Sequence, residues 1–184
     1  MPDAAPETPD APAAAAPAAA PAPKHITIIC TGNICRSPMG EGLLRHALKA
    51  EQAPLRDVPV VSCGTSAWHE GEAATANAVR ALQKCGIDIS AHRSRQVTKR
   101  IVENSLAIFA MTSDHLETLH DLYGDTLPAP AMLMRGLMDL PAEELYADEV
   151  ADPFGGDLHR YEDCRDDIVA AVPSILNFLR GLVK

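Results

Sequence analysis

Hydrophobic and polar positions alternate along the chain in two repeating patterns. Four short apolar runs rich in β-branched residues predict buried strands, although two prolines weaken the last one. These runs lie at 25–30, 58–65, 106–111 and 127–134. Stripes of apolar residues at helical spacing predict helices at 37–52, 73–86, 112–124 and 157–182. Because strands that alternate with helices form parallel sheets covered on both faces, the sequence predicts an α/β, doubly wound fold.

Residues at the ends of the predicted helices refine this picture. Ser37 is predicted to cap the first helix, and Pro38 suits its first turn. Gly86 should end the second helix, and Thr112 is a candidate cap of the third. Pro173 should kink or split the last helix.

The first 24 residues differ in composition from the rest of the chain. Eighteen of them are Ala or Pro. Proline fixes φ and removes backbone donors, and the segment lacks large apolar side chains to bury. With neither a basic start nor a leucine-rich stretch, it does not resemble a signal peptide. We therefore expect a disordered arm over 1–24 and one folded domain over 25–184.

Charge and cysteine content exclude several classes of partner. The formal net charge is −9, which argues against nucleic acid because that partner is bound by basic surfaces. No apolar run reaches the ~18 residues of a membrane-spanning helix. The five cysteines are odd in number and lack the spacing of a secreted disulfide framework. Reduced thiols in the cytoplasm are the simpler interpretation.

The stretch CTGNICRSP (30–38) joins the first predicted strand to the first predicted helix. Ligands of open α/β sheets bind at the carboxyl ends of strands, and helix N-termini attract anions. Gly32 lets the backbone turn tightly and point N–H groups inward. Arg36 adds a planar fork of donors that matches two phosphate oxygens. The stretch therefore predicts a phosphate cradle.

A thiol at the mouth of such a cradle suggests nucleophilic chemistry. The field that attracts phosphate also favours the thiolate form of Cys30, and a thiolate needs no metal to attack phosphorus. Cleavage of a phosphate ester also requires a proton for the leaving oxygen. Asp152, held by Pro153 in a glycine-rich loop, could supply it as a general acid, although an isolated Asp-Pro is usually only a turn.

Five motifs together resemble the low-molecular-weight protein tyrosine phosphatase family in order and spacing over residues 25–182. They are CTGNICRSP (30–38), SCGTSAWHEG (62–71), GIDISAHRSRQV (86–97), AMT (110–112) and DPFGG (152–156). The resemblance implies a four-stranded parallel sheet with flanking helices, flavodoxin-like in order. It also implies metal-independent hydrolysis of phosphotyrosine in proteins through a phosphocysteine, with no cofactor and with a monomer or weak dimer as the working form.

The resemblance also implies a role for individual residues. Cys30 would be the nucleophile, Arg36 would bind the phosphoryl oxygens, and Asp152 would be the general acid. The implied substrate-binding residues are Thr31, Gly32, Asn33, Ile34, Cys35, Ser37, Trp68 and Phe154. Behind them, Asn33 and Ser37 would brace the cradle, and Ser66 and His92 would hold Asn33 in place.

Cys35 stands apart because two functions fit it. In the family a second cysteine in the loop can trap the oxidised nucleophile as a disulfide, whereas a buried filler would also suit the position. We expect Cys63, Cys85 and Cys164 to be core residues, since they fall in a predicted strand and two predicted helices.

Three alternatives remain open. DPFGG and AMT bring the chain close to protein arginine phosphatases, but Ile34 stands where those carry Thr and offers an apolar wall to a ring. Trp68 would flank that ring, while Phe154 replaces a tyrosine. Arsenate reductases of the same scaffold need a redox cysteine pair that 105–119 lacks. A non-catalytic phosphate-binding or redox-sensing protein would be expected to have lost Cys30, Arg36 or Asp152.

The histidines do not suggest a metal site. No second histidine follows His69 and Glu70 at metal-binding spacing. His115 and His120 are five residues apart, so they do not share a helix face.

Overall fold

The computed structural model describes residues 24–140 and 147–183, and all but the last residue of the predicted arm lies outside these ranges. Its sheet has four parallel strands in the order β2-β1-β3-β4. The strands are β1 (His25–Cys30), β2 (Val60–Gly64), β3 (Ser105–Ala110) and β4 (Ala131–Leu133). This order matches the first four strands of the flavodoxin-like arrangement, so the predicted fold class is confirmed.

Helices cover both faces of the sheet. They are α1 (Arg36–Leu48), α2 (Ala76–Gln83), α3 (Lys99–Glu103), α4 (Ser113–Tyr123) and α5 (Leu158–Leu182). The neighbouring β1 residues Ile28 and Ile29 point to opposite faces. Ile28 packs in the larger apolar cluster with α1, α2 and α5. Ile29 packs in a smaller one with Val102 of α3 and Leu119 of α4. Of the helices described, none combines the length and apolarity that a bilayer-spanning segment needs.

The carboxyl edge of the sheet gathers the segments that carry the predicted site. Strand β1 is central and ends at Cys30, with α1 beginning six residues later. Beyond β3, the Met111 carbonyl accepts a hydrogen bond from the Val150 N–H at 2.8 Å. This bond brings the loop before α5 to the same edge, and with it Asp152.

Several element boundaries differ from the sequence prediction. The strand predicted at 127–134 is only Ala131–Leu133, because Pro128 and Pro130 cannot donate to the ladder. The helix predicted at 73–86 is Ala76–Gln83. It closes as expected, with Gly86 at φ 72°. Helix α3 and a 3₁₀ turn at Leu55–Asp57 were not predicted, since both are too short to show a periodic stripe.

Two residue-level predictions about the helices are wrong, one alternative of a third does not occur, and a fourth is confirmed. Ser37 does not cap α1, which begins at Arg36 without a side-chain cap. Pro173 does not split α5, because buried residues on either side pack the helix continuously. Cys85 is exposed, since it lies in the turn beyond α2. Thr112, in contrast, does occupy the N-cap position of α4.

Candidate active site

The loop between β1 and α1 is shaped around Asn33. Asn33 has φ 55° and is fully buried. Its side-chain Nδ2 donates to Ser37 Oγ and to Ser62 Oγ, both at 2.9 Å. Its Oδ1 accepts the Arg95 N–H at 2.9 Å, and its backbone carbonyl accepts from His92 Nε2 at 2.8 Å. These bonds hold a left-handed conformation that an asparagine tolerates but seldom adopts alone.

The structure corrects one of the two residues predicted to hold Asn33. His92 does contact it, and burial lowers the pKa of His92, which favours the neutral donor. Ser66 does not: its Oγ accepts the Trp68 N–H at 3.2 Å, and its own N–H donates to the Thr31 carbonyl at 3.0 Å. Ser62 takes the role predicted for Ser66.

Cys30 lies at the base of this loop with two potential donors aimed at its sulfur. Its side chain is 3% exposed. Its Sγ accepts the Asn33 N–H at 3.3 Å and lies 2.9 Å from Ser37 Oγ. Because Ser37 Oγ already accepts from Asn33 Nδ2, its own proton can go to the sulfur at 2.9 Å or to the more distant Cys63 carbonyl at 3.5 Å. The Asn33 N–H and the Ser37 hydroxyl are therefore both placed to hydrogen-bond the Cys30 sulfur.

Arg36 and Asp152 meet beside the loop although 116 positions separate them in sequence. Arg36 is buried, and its Nη2 donates to Asp152 Oδ2 at 2.6 Å. Its Nη1 donates to the Val150 carbonyl at 3.2 Å, while its buried Nε has no acceptor among the described residues. Asp152 is half-exposed, and its Oδ1 accepts the Phe154 N–H at 3.1 Å.

A cavity of about 250 Å³ opens above Cys30. Its lining is Cys30, Thr31, Gly32, Ile34, Cys35, Arg36, Ser66, Trp68, His69, Asp152 and Phe154. The structure therefore brings the predicted catalytic residues and most of the predicted substrate-binding residues to one cavity. Asn33, Ser37 and His92 lie behind the lining and support it.

His69 is a lining residue that the sequence analysis missed. Its ring centroid lies 6.2 Å from that of Phe154, and its Nδ1 lies 2.9 Å from Glu72 Oε2. A Cβ on Gly32 would come within 2.9 Å of His69 Cδ2, so glycine is required for this close approach. Trp68 is 87% exposed and Phe154 is 60% exposed, so the cavity opens between aromatic surfaces.

Cys35 is also buried at the cavity, on the side of α5. Its Sγ lies 3.3 Å from the Tyr161 hydroxyl and 3.6 Å from Thr75 Oγ1. Burial raises the pKa of Cys35, which keeps this second sulfur a thiol. Cys30 and Cys35 are both free in the structure.

The described residues include no cluster of three or more His, Cys, Asp or Glu side chains that could hold a metal ion.

Comparison with known proteins identifies the family. A sequence model of the family described as low molecular weight phosphotyrosine protein phosphatase matches residues 25–182. A protein-arginine-phosphatase from Geobacillus stearothermophilus is 31% identical over 158 residues, covering 86% of this chain and 97% of that protein. The low molecular weight protein-tyrosine phosphatase A of Mycobacterium tuberculosis is 34% identical over 154 residues, covering 83% and 90%.

Solved structures agree with the sequence comparison. The crystal structure of a YwlE mutant from Bacillus subtilis aligns with a TM-score of 0.71 at 27% identity, covering 85% of this chain and 99% of that one. The chain belongs to the low molecular weight phosphotyrosine protein phosphatase family. The predicted family, fold and hydrolase class are thereby confirmed.

Proposed function

We propose that this protein hydrolyses phosphotyrosine in protein substrates through a phosphocysteine formed on Cys30. The observation that carries the proposal is the convergence of three groups on one cavity. The Cys30 sulfur lies at its base, and the Arg36 guanidinium and the Asp152 carboxyl lie side by side at its wall. Nucleophile, anion-binding group and proton donor are the parts that ester cleavage needs.

In the first step the Cys30 thiolate attacks phosphorus. The S–P bond forms as the P–O bond to the tyrosine ring breaks, and Asp152 gives its proton to the departing phenolate oxygen. N–H groups of the loop and the fork of Arg36 bind the phosphoryl oxygens, whose charge grows in the transition state. The buried Nε of Arg36 would find an acceptor in such an oxygen.

In the second step a water molecule attacks the phosphocysteine. Asp152, now a carboxylate, accepts a proton from that water as the P–S bond breaks. Inorganic phosphate leaves, and the Cys30 thiolate returns to the Ser37 hydroxyl and the Asn33 N–H. The same carboxyl therefore serves as acid and then as base, and no outside reactant besides water is consumed.

The pairing of Arg36 with Asp152 explains how the acid is prepared. An ionised Asp152 bonds Arg36 Nη2 at 2.6 Å. A phosphoryl dianion competes for the same guanidinium and repels a neighbouring carboxylate. Substrate binding therefore favours the protonated carboxyl that the first step requires.

The walls of the cavity favour an aromatic substrate. Ile34 is 6% exposed and presents a packed apolar surface, while Trp68 and Phe154 offer exposed rings at the opening. Contacts between aromatic rings contribute about 0.5–1.5 kcal/mol beyond burial. A phosphotyrosine ring standing above the cradle would meet all three side chains.

A second candidate substrate is phosphoarginine, because the relative from Geobacillus stearothermophilus is a protein-arginine-phosphatase. The test is to compare kcat/KM of the purified chain on matched phosphotyrosine and phosphoarginine peptides, with Cys30→Ser as the inactive control. We expect the phosphotyrosine peptide to be preferred. A preference for phosphoarginine would overturn the aromatic assignment, and turnover of neither peptide would overturn the proposed function.

The setting proposed for this reaction is the cytoplasm, where thiols stay reduced. All five cysteines are free, and the nucleophile must remain a thiolate to act. The working form proposed for the protein is a monomer or weak dimer.

A further inference from the structure

His115 is a buried histidine outside the predicted site. It lies in the first turn of α4 and is 4% exposed. Its ring contacts two threonines from different parts of the chain. Nδ1 lies 3.1 Å from the Thr112 N–H nitrogen and 2.8 Å from Thr112 Oγ1, and Nε2 lies 2.9 Å from Thr31 Oγ1. Thr31 is the residue that follows Cys30 in the loop.

These contacts determine which nitrogen of His115 carries the proton. The Thr112 N–H can only donate, so Nδ1 must accept and bears no hydrogen. In a neutral imidazole the proton is then on Nε2. The Nε2–H therefore donates to Thr31 Oγ1.

The direction of that bond leaves the Thr31 hydroxyl with a proton of its own to donate. Among the described residues, His115 is the only hydrogen-bond partner of Thr31 Oγ1. Thr31 lines the cavity that Cys30 and Arg36 also line. The buried His115 ring thus orients the Thr31 hydroxyl, and this hydroxyl lies at the cavity in which we propose that an anion binds.

We propose that His115 is a positioning residue of the active site: it fixes the Thr31 hydroxyl so that this hydroxyl donates to the phosphoryl group bound in the cavity. The inference rests on the proposed function, because it assumes that a phosphoryl group occupies the cradle. His115 touches no substrate atom itself and acts through Thr31.

The surroundings of His115 keep its ring neutral over the working pH range, and the proton of the neutral ring is on Nε2. Burial, and then the Arg36 guanidinium, lower the pKa of His115 to about 4. The carboxylates that face it are Asp114 on its own helix and Glu149 and Asp152 from the loop before α5, and they oppose this effect more weakly. The neutral ring therefore persists from mildly acidic to alkaline pH.

The start of α4 is also tied to the loop that carries Asp152. The Ser113 N–H donates to Glu149 Oε1 at 2.8 Å, and the Val150 N–H donates to the Met111 carbonyl at 2.8 Å. The ring of His115 is thus held by a turn that is anchored on both sides. This anchoring fixes the position of the His115 ring relative to Thr31.

Two substitutions separate the bond to Thr31 from the bond to Thr112. His115→Asn keeps a short acceptor for the Thr112 N–H but cannot reach Thr31. His115→Gln has an amide long enough to donate to Thr31 Oγ1. We expect His115→Asn to lower kcat/KM on phosphotyrosine about 3–10-fold, the size of one lost hydrogen bond, and His115→Gln to restore most of it. His120→Asn, on the same helix, is the matched control and should match the parent.

The decisive measurement is a double-mutant cycle with Thr31→Val, a shape-conserving change at an exposed position. Thr31→Val alone should cause the same loss as His115→Asn, and the double variant should lose no more than either. Additive losses, or a parental rate in either single variant, would overturn the proposal. Should His115→Asn fail to fold, a parental rate in Thr31→Val would still overturn it.

Binding of inorganic phosphate to the Cys30→Ser chain, with and without His115→Asn, separates this inference from the proposed function. A 3–10-fold weaker affinity with His115→Asn supports the inference even if phosphotyrosine proves not to be the substrate. Equal affinities overturn it even if phosphotyrosine is hydrolysed. Absence of phosphate binding in both chains would overturn the inference and the cradle together.

Discussion

The active site has two regions built in opposite ways: a floor, formed by residues 30–37, and a rim, formed by Trp68, His69, Asp152 and Phe154. In the floor, Asn33 is fully buried and Cys30 is 3% exposed. At the rim, Trp68 is 87% exposed and Phe154 is 60% exposed. In the proposed mechanism the floor therefore fixes the anion and the nucleophile, while the exposed rings Trp68 and Phe154 of the rim can vary without disturbing them.

The physical difference lies in what a substitution leaves behind. The side chains of Asn33, Arg36 and Ser37 in the floor are buried and hydrogen-bonded, so removing one leaves its partners unpaired at about 1–3 kcal/mol each. The exposed rings of the rim lose only contact with substrate. Variants of the buried floor residues should therefore change both rate and stability, whereas variants of the exposed rings Trp68 and Phe154 should change substrate affinity alone.

The largest effect is expected at the centre of the floor. Cys30→Ser should abolish turnover but keep the binding of phosphate or vanadate, because the loop N–H groups and Arg36 remain. Single-turnover assays and isothermal titration on the same preparation measure the two properties. Appreciable turnover in this variant would contradict a phosphocysteine on Cys30.

Asp152→Asn tests the rim residue that contacts Arg36 of the floor. Asparagine keeps the size of the side chain and can donate to a bound oxygen, but it cannot supply a proton. Phosphotyrosine turnover should fall about 10²–10⁴-fold. Aryl phosphates with very acidic phenols should lose far less, because those phenolates leave unaided. Rates of phosphoenzyme formation across phenols of graded acidity measure this, and an equal loss on all of them would reduce Asp152 to a structural role.

Arg36→Lys keeps the charge of the floor and removes its planar fork. A lysine cannot grip two phosphoryl oxygens at once, and it also loses one of the bonds to Val150 and Asp152. We expect kcat to fall about 10²–10³-fold, as for loss of a donor to a developing oxyanion. Steady-state kinetics at saturating substrate would show it. A parental kcat would mean that a point charge suffices.

Trp68→Ala tests the rim directly. The lost aromatic contact should raise KM for phosphotyrosine peptides about 3–10-fold and leave kcat and Tm near the parent values. Trp68→Phe is the matched control and should keep most of the affinity. Asn33→Ala is the floor counterpart and should lower both kcat and Tm. If Trp68→Ala lowered Tm as much as Asn33→Ala, the division between floor and rim would be wrong.

Local sequence was sufficient to predict most of the fold and to place Cys30, Gly32 and Arg36 in one loop of the floor. Cys30, Gly32 and Arg36 stand within seven positions, and a loop of that length between a strand and a helix has few possible shapes. Strands β1 and β3 carry short apolar runs whose six-residue length favours a buried strand over a helix. Asp152 has no such local signature, and only the resemblance connected it with Arg36.

What the sequence did not reveal depends on contacts between distant segments. Ser62, which takes the role predicted for Ser66, is a serine inside an apolar strand, and it becomes informative only when Asn33 is placed beside it. His69 and His115 reach the site across 37 and 84 positions from Gly32 and Thr31, respectively, so neither belongs to a short motif. The prediction that Cys85 is a core residue was wrong for a local reason, because α2 ends two residues before it.

The smallest effect concerns the pH dependence of stability. The pKa of His115 is about 4 in the folded chain, against 6.5 for an unperturbed histidine. Between these values the unfolded chain binds a proton that the folded chain does not, so acidification favours unfolding. The contribution of His115 is present above pH 6.5 and is lost as pH falls toward 4. His115→Asn should therefore lose less unfolding free energy than the parent between these two pH values, measured by urea denaturation.

His159 provides a control of opposite sign, because a hydrogen bond to its own backbone and the nearby Asp163 raise its pKa. Its contribution is present below pH 6.5 and disappears as pH rises through the folded pKa, so His159→Asn should lose slightly more stability than the parent on acidification from alkaline pH. Parallel curves for the parent and His115→Asn would mean that folding does not lower the pKa of His115, so the neutral ring on which the orientation of Thr31 depends would be lost below about pH 6.5.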